Sequence, residues 1–420
     1  MTETAVSPVQ TAAQTIMERE KQYVLQNYAR YPLALARGKG SYLFDFDGKR
    51  YLDLLSGIGV NALGHAHPRV LKVIREQAAK LIHCSNLYYH EYQGLLAEQI
   101  CKTSGLERVF FCNSGAESME CAVKMIRAHG HKQDAAKYEI VALENSFHGR
   151  TVGAISITGQ PKYRKDFEPL LPGVRFVPAN DVRALESAVS DRTAGIVIEV
   201  IQGEGGVYRI AEDVLRKARE LADRVDALLV FDEIQCGVGR TGRYFAYQHL
   251  DPVVMPDVMV TAKPVSVGLP LGLVAANEKA AASIGAGMHG STFGGNALAT
   301  RVGYEFFRIM EEGLLAEIPV KAALFRERLE ALARKHKFVK EVRVFGLMIG
   351  VELHMPGKQL VLDAMEHGLL INCTHDVVLR FLPPFTISDK EIESAARILG
   401  KVFRKADAYW KEHRAKQAAA

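Results

Sequence analysis

No apolar run in this chain approaches the ~18 residues that a helix needs to cross a bilayer, so a membrane-spanning helix is excluded. Cysteine is sparse: six residues, at 84, 101, 112, 121, 236 and 373, with no Cys-x-x-Cys pair. That spacing argues against a disulfide framework and reads as reduced thiols. An excess of one charge is missing too. Lys plus Arg number 53 against 48 Asp plus Glu, a net +5 with no long basic run. Nothing there calls for nucleic acid, and the basic stretch 401–416 reads as a solvated helix face. The opening residues lack the charged-then-apolar order of a secretory signal, so the expected location is the cytoplasm. Internal repeats and low-complexity linkers are absent as well.

What remains is the composition of a globular protein, 48% hydrophobic and 24% charged, with a mean hydropathy of −0.02. At roughly 150 residues per domain, 420 residues suggest two or three folding units. The polar, alanine-rich opening is expected to be loose until about Glu18. Residues 42–54 alternate in polarity around Asp47-Gly48, a hairpin signal. From about 60 to 310, short apolar runs alternate with helical stretches. The runs are 108–113, 139–146, 174–181, 194–202, 227–235 and 258–263. Near-continuous apolar strands between helices imply an α/β fold whose mostly parallel sheet is covered on both faces. Beyond Gly303 the pattern changes: 321–337 reads as a helix, 343–353 as a strand pair, and a last helix opens with Ser388 and Glu391 in capping-box spacing. The expected organisation is a large domain over 62–310 and a smaller α+β domain built from both chain ends, 1–61 and 311–420.

Ligands of open α/β sheets gather at the carboxyl ends of the strands, so the residues that follow each run matter most. After 108–112 comes Asn113-Ser114-Gly115-Ala116-Glu117, a small-residue turn that opens a helix. Its free N–H groups and positive dipole end suit a phosphate. Ser114 as N-cap and Glu117 as its capping-box partner explain the same residues, and both readings can hold together. Phe147, in Phe-His-Gly-Arg, could stack on a planar ring, and Arg150 could grip a carboxylate; a packed Phe and a surface Arg are the alternative. Asp232 ends a buried strand, where a carboxylate is costly without a cationic partner such as a ring nitrogen. Lys263 ends another, and Pro264 after it favours an extended backbone there. A desolvated lysine in such a place has a lowered pKa and is nucleophilic, although many strand-end lysines merely snorkel.

Gly237-Val238-Gly239-Arg240-Thr241-Gly242 fits the dinucleotide fingerprint, but its context does not. A poor helix follows it, and the next strand ends in Lys263 rather than an acid. The His-x-His pairs at 65/67 and 129/131 lack further ligands at metal spacing and read as structural or surface residues, with no metal expected.

Taken in order, these residues resemble the class III (subgroup II) aminotransferases, pyridoxal-phosphate enzymes of fold type I, from about Tyr28 to Ile392. The wording is closest to acetylornithine and ornithine aminotransferases at 56–68, 85–89, 111–118, 147–151, 202–207, 232–242, 291–296 and 380–384. By that resemblance Lys263 would bond covalently to the cofactor aldehyde and then shuttle the substrate proton. Asp232 would pair with the pyridinium nitrogen, Gln235 with the ring hydroxyl, and Phe147 would stack on the ring. Gly115 and Ala116 would donate backbone N–H groups to the phosphate. Thr292 would reach it from the neighbouring subunit, which implies a homodimer with shared sites. Arg150, Ser291 and Tyr28 are expected at the substrate. Arg380 resembles a second carboxylate-binding arginine, with Glu204 as its partner when the substrate has an amine or amide end. Two departures stand out: Glu199-Val200 where the family usually writes Glu-Pro, and Pro264-Val265-Ser266-Val267-Gly268 where it often has a glycine-rich stretch.

The resulting expectation is a ping-pong transaminase. It would move the ω-amino group of N-acetylornithine, or a close relative, to 2-oxoglutarate, as in arginine biosynthesis. Ornithine, succinylornithine, 4-aminobutyrate and carrier-bound lysine are rival donors. An aminomutase of the glutamate-1-semialdehyde kind is a rival reaction, and a binding protein on the same fold would lack Lys263 or Asp232.

Overall fold

The computed structural model describes residues 11–419. The expectation of a loose opening falls partly on residues 1–10, outside that range; within it, the expectation is overturned. Ala12–Tyr23 is a helix, and Thr11 caps it reciprocally with Gln14. The alanines that read as featureless are strong helix formers, and the capping box starts the helix. No residue of this helix is buried.

Seven strands form the main sheet: β1 Arg108–Cys112, β2 Glu139–Leu143, β3 Val174–Val177, β4 Thr193–Glu199, β5 Leu228–Asp232, β6 Val258–Thr261 and β7 Gly272–Ala276. Their order is β1-β7-β6-β5-β4-β2-β3. Only β7 runs antiparallel to its neighbours. Six of these strands are the six apolar runs of the sequence. β7 was missed because no crossover helix precedes it: Gly272–Ala276 follows β6 after the ten residues 262–271, which hold one tight turn at Lys263–Ser266, and returns antiparallel. The run 194–202 is not one strand. It breaks at Val200, and Ile201–Gln202 pairs instead with Tyr208–Arg209.

Alternate residues of each strand serve opposite faces, and each face has its own core. Leu229 and Phe231 join Ile196 and Ile198 on one side; Leu228 and Val230 join Val197 and Val260 on the other. A strand buried on both faces must be apolar throughout, which is why these runs do not alternate. The helix that follows β1, α1 Gly115–Gln133, lies on the second face.

The two chain ends share a sheet. Leu35–Lys39, Tyr42–Asp45 and Arg50–Asp53 are antiparallel, and Leu369–Leu370 adds to the last of them in parallel. The hairpin turns at Gly48, whose φ of +82° suits glycine. A second sheet, wholly antiparallel, holds Val339–Phe345, Met348–Leu353, Val378–Phe381 and Asn372–Thr374. Between 297 and 333 two helices, Ala297–Ile309 and Leu315–Ala333, join through one wide turn. The final helix, Asp389–Ala419, starts at the expected capping box: Ser388 N–H donates to Glu391, and Glu391 N–H to Ser388 Oγ.

The glycine-rich loop 237–242 holds a fully buried Arg240. Its guanidinium donates to the carbonyls of Leu347 (3.1 Å) and Pro383 (2.6 Å) and lies over the Phe385 ring. The loop thus ties the main sheet to the C-terminal sheet. Burial pushes the Arg240 pKa down to about 9, which still leaves it charged at neutral pH.

Candidate active site

The carboxyl ends of β1, β2, β4, β5 and β6 converge on a cavity of about 300 Å³. Register sets its floor. Asp232 of β5 sits opposite Glu199 of β4 and Val260 of β6, so two carboxylates end neighbouring strands. The Asp232 Oδ1 accepts from Ile234 N–H at 3.0 Å, and Oδ2 faces His148 Nδ1 at 2.7 Å. Both residues are buried. Burial alone would lower the His148 pKa; the bond to Asp232 and the charges of Asp232 and Glu199 outweigh it and raise it. Glu199 accepts from the N–H groups of Phe147 (2.8 Å) and Gly203 (3.2 Å). Burial pushes its pKa up to about 7, with His148 pulling it down and Asp232 raising it further.

Lys263 lines the same cavity but is not extended, contrary to the expectation from Pro264. The strand ends at Thr261, and Lys263 opens a tight turn with φ +41°. The proline does keep it out of the right-handed helical region. The backbone answers with the left-handed one, which is costly for a residue with a Cβ and is found where a side chain must be aimed. Burial lowers the Lys263 pKa, opposed by Glu204 and Asp232.

Above Asp232, α1 begins at Gly115, with Ser114 as N-cap accepting from Glu117 N–H. The N–H groups of Gly115 and Ala116 belong to the first turn, which has no preceding helical carbonyls to bond. A side chain at Gly115 would place its Cβ 2.8 Å from Ile234, so only glycine lets the helix end approach this closely. Phe147 and Gln235 also line the cavity. Behind Gln235 lies Arg380, which is 1% exposed. It donates to Glu204 Oε1 at 2.5 Å and to Gln235 Oε1 at 3.0 Å. Burial alone would raise the Glu204 pKa, but Arg380 turns the balance and lowers it.

Five expected residues do not line this cavity: Arg380, which lies behind Gln235, and four that are farther away. Arg150 is exposed beyond Phe147, its guanidinium 4.2 Å from the Tyr163 ring. Ser291 accepts from Asn113, a cavity residue, at 3.0 Å. Exposed Thr292 shares a separate depression with Asn113 and Glu117. Tyr28 is 70% exposed and borders a third hollow with Leu55 and Gly57. His148, Glu199 and Asn113 were given no role from sequence. The signal for Glu199 was available, because it ends a buried strand just as Asp232 does. The departure at Val200 falls in the core, where this residue is 1% exposed. The stretch after Lys263 does reach the cavity, through Gly268. His65 and His129 are bonded within the fold, to Asp53 and the Asp226 carbonyl. All six cysteines are free thiols.

A mostly parallel sheet with a lysine in the turn after one strand, a His-paired aspartate at the end of another and a helix N-terminus around one cavity is an arrangement that suits a protein of the aminotransferase kind. The sequence family "Aminotransferase class-III" matches residues 23–403, and the chain belongs to that family, whose members depend on pyridoxal phosphate. It is 46% identical over 389 residues to the acetylornithine aminotransferase of Methanocaldococcus jannaschii, covering 92% of this chain and 97% of that one. The ornithine aminotransferase of Toxoplasma gondii has the same fold, with a TM-score of 0.90, 32% identity and coverage of 96% and 97%. A second structure of that enzyme, crystallised with oxidised glutathione, has pyridoxal phosphate at partial occupancy (TM-score 0.89, 32% identity, coverage 95% and 96%).

Proposed function

We propose that this enzyme is an acetylornithine aminotransferase. It would take the ω-amino group of N-acetylornithine and pass it to 2-oxoglutarate in the cytoplasm, as a homodimer. The observation that carries the substrate reading is the Glu204–Arg380 pair beside the Lys263 cavity. A buried arginine covered by a carboxylate that can leave serves two substrates in turn. Covered, it accepts a donor without a second acid; uncovered, it grips the far carboxylate of 2-oxoglutarate. The 46% identity to the M. jannaschii enzyme supports the same donor.

The residues present fit pyridoxal phosphate. The close approach at Gly115 and the free first-turn amides of Gly115 and Ala116 suit the phosphate. Phe147 would face the ring, Asp232 would hold the ring nitrogen in its protonated form, and Gln235 would contact the ring hydroxyl. When bound, the cofactor supplies an aldehyde for the amino group and a cationic ring that spreads the negative charge of the deprotonated substrate. The protein's own work is proton handling and orientation. Lys263, whose charged form is disfavoured by burial, would take the substrate proton and return it on the cofactor side. Buried His148 sustains the Asp232 charge. Arg150 would meet the α-carboxylate. Ser291 and Thr292 would act across the subunit boundary, and Tyr28 would close the substrate side.

The test is an absorbance spectrum of the protein loaded with pyridoxal phosphate, taken before and after N-acetylornithine without acceptor. A yellow band that bleaches with N-acetylornithine, and less readily with ornithine or 4-aminobutyrate, supports the proposal. Bleaching by another amine alone replaces the donor. A protein that shows no band with the cofactor supplied would overturn the reading at its root.

A further inference from the structure

Glu199 makes two contacts that no role in the reaction yet explains. Each of its carboxylate oxygens accepts one main-chain N–H: Oε1 from Phe147 and Oε2 from Gly203. Phe147 belongs to the segment after β2, and Gly203 to the turn that carries Glu204. The two segments are 56 residues apart in the chain and meet at this one side chain, which is 5% exposed. Two oxygens that both accept are what a carboxylate offers and an amide cannot.

The Gly203 end leads straight to Arg380. A Cβ on Gly203 would lie 2.1 Å from Gln235 Oε1, so its backbone presses directly on that amide. Gln235 in turn accepts from Arg380, which also donates to Glu204. On the other side of Glu204, its carbonyl accepts from Thr374 Oγ1 at 2.6 Å. The turn is therefore held at both ends, by Glu199 through Gly203 and by Thr374 through Glu204 itself. The Glu204 side chain itself faces Arg380 through Oε1 and Thr374 Oγ1 through Oε2, the latter at 3.5 Å.

We infer that Glu199 is a positioning residue that locks the Gly203–Glu204 turn to the Phe147 segment, so that Glu204 covers Arg380 and sets the preference for donors without a second carboxylate. The inference rests on the proposed function and adds to it: selectivity between the two substrates depends on a residue that touches neither the donor's far end nor Arg380. Glu199→Gln keeps the size but puts an NH2 group against one of the two N–H donors. One anchor is lost, and the turn loosens.

The experiment compares N-acetylornithine with glutamate as amino donors in single turnover, on holoenzyme, for wild type, Glu199→Gln, Glu204→Gln and the double variant. Wild-type bleaching by N-acetylornithine checks the proposed function separately, since its failure shows before any variant is made. The expected result for Glu199→Gln is a shift of the N-acetylornithine-to-glutamate ratio toward glutamate by roughly tenfold, the scale of one lost buried hydrogen bond to a charged group. In the Glu204→Gln background the same change should have little further effect, because residues that act through one another are not additive. A lower melting temperature with an unchanged ratio would overturn the inference, as would full additivity in the double variant. Glu199→Asp, too short to span both amides, gives an independent second variant and should reproduce the shift.

Discussion

His148 Nδ1 stands 2.7 Å from Asp232 Oδ2, with both side chains shut away from solvent. The pair puts an imidazole, its charged form favoured by Asp232 and Glu199, behind the carboxylate that the cofactor nitrogen would meet. Because the folded-state pKa of His148 is raised, its contribution to stability is complete below the ordinary imidazole value near 6.5. It is lost as pH rises through the higher folded value. Glu199, pushed up to about 7, shifts stability in the same direction. The difference between wild type and His148→Phe therefore carries the test, not the raw curve. Melting temperatures across a pH series should show that difference largest at the acidic end and shrinking above 6.5; a constant difference would mean that His148 is neutral throughout.

Lys263→Ala should still bind pyridoxal phosphate, since α1 and Asp232 are untouched, yet lose turnover by roughly 10³-fold or more. Cofactor retention after desalting and steady-state rates with N-acetylornithine and 2-oxoglutarate check both halves. Near-normal turnover would remove Lys263 from the reaction.

Arg380→Lys keeps the charge but loses the planar fork, which now serves Glu204, Gln235 and Asn372 at once. The KM for 2-oxoglutarate should rise about 10- to 100-fold, in line with the loss of one or two charged hydrogen bonds. Single-turnover bleaching by N-acetylornithine should change only a few-fold. Equal losses in both half-reactions would argue that Arg380 is needed for the fold rather than for the acid.

The legibility of this molecule follows from which signals are local. Six strands could be read because a strand buried on both faces must be apolar, and Asp232 and Lys263 because charge at such a strand's end demands a partner. The capping box at Ser388 and Glu391 and the Gly48 turn are equally local. β7 was silent, since an antiparallel return needs no crossover helix to announce it. The left-handed backbone at Lys263 could not be read either: proline forbids one conformation without choosing among the others. The Glu199 bridge and the Arg240 tie join segments far apart in the chain, and no spacing rule reports such contacts. Neither do the positions of Tyr28, Ser291 and Thr292, which lie outside the cavity of a single chain.

Gly130 tests the packing that carries the site. It lies in α1, the helix whose first turn borders the cavity, three residues before the last one, Gln133. A Cβ there would come within 2.1 Å of the Lys137 carbonyl oxygen and 2.7 Å of Ala194 Cβ. Real contacts are never so short, and the first partner is backbone, so the helix or the strand must shift. Alanine is the better helix former by about 1 kcal/mol, which would make Gly130→Ala stabilising if propensity decided the outcome. Overpacking of this severity costs about 1–3 kcal/mol or more, and it acts on the element that positions Gly115 and Ala116. Packing should therefore win. Denaturant melts should show a net loss of at least about 1 kcal/mol in the Gly130→Ala protein, together with weaker retention of pyridoxal phosphate. A stabilised variant would show that α1 has room to move away from β4.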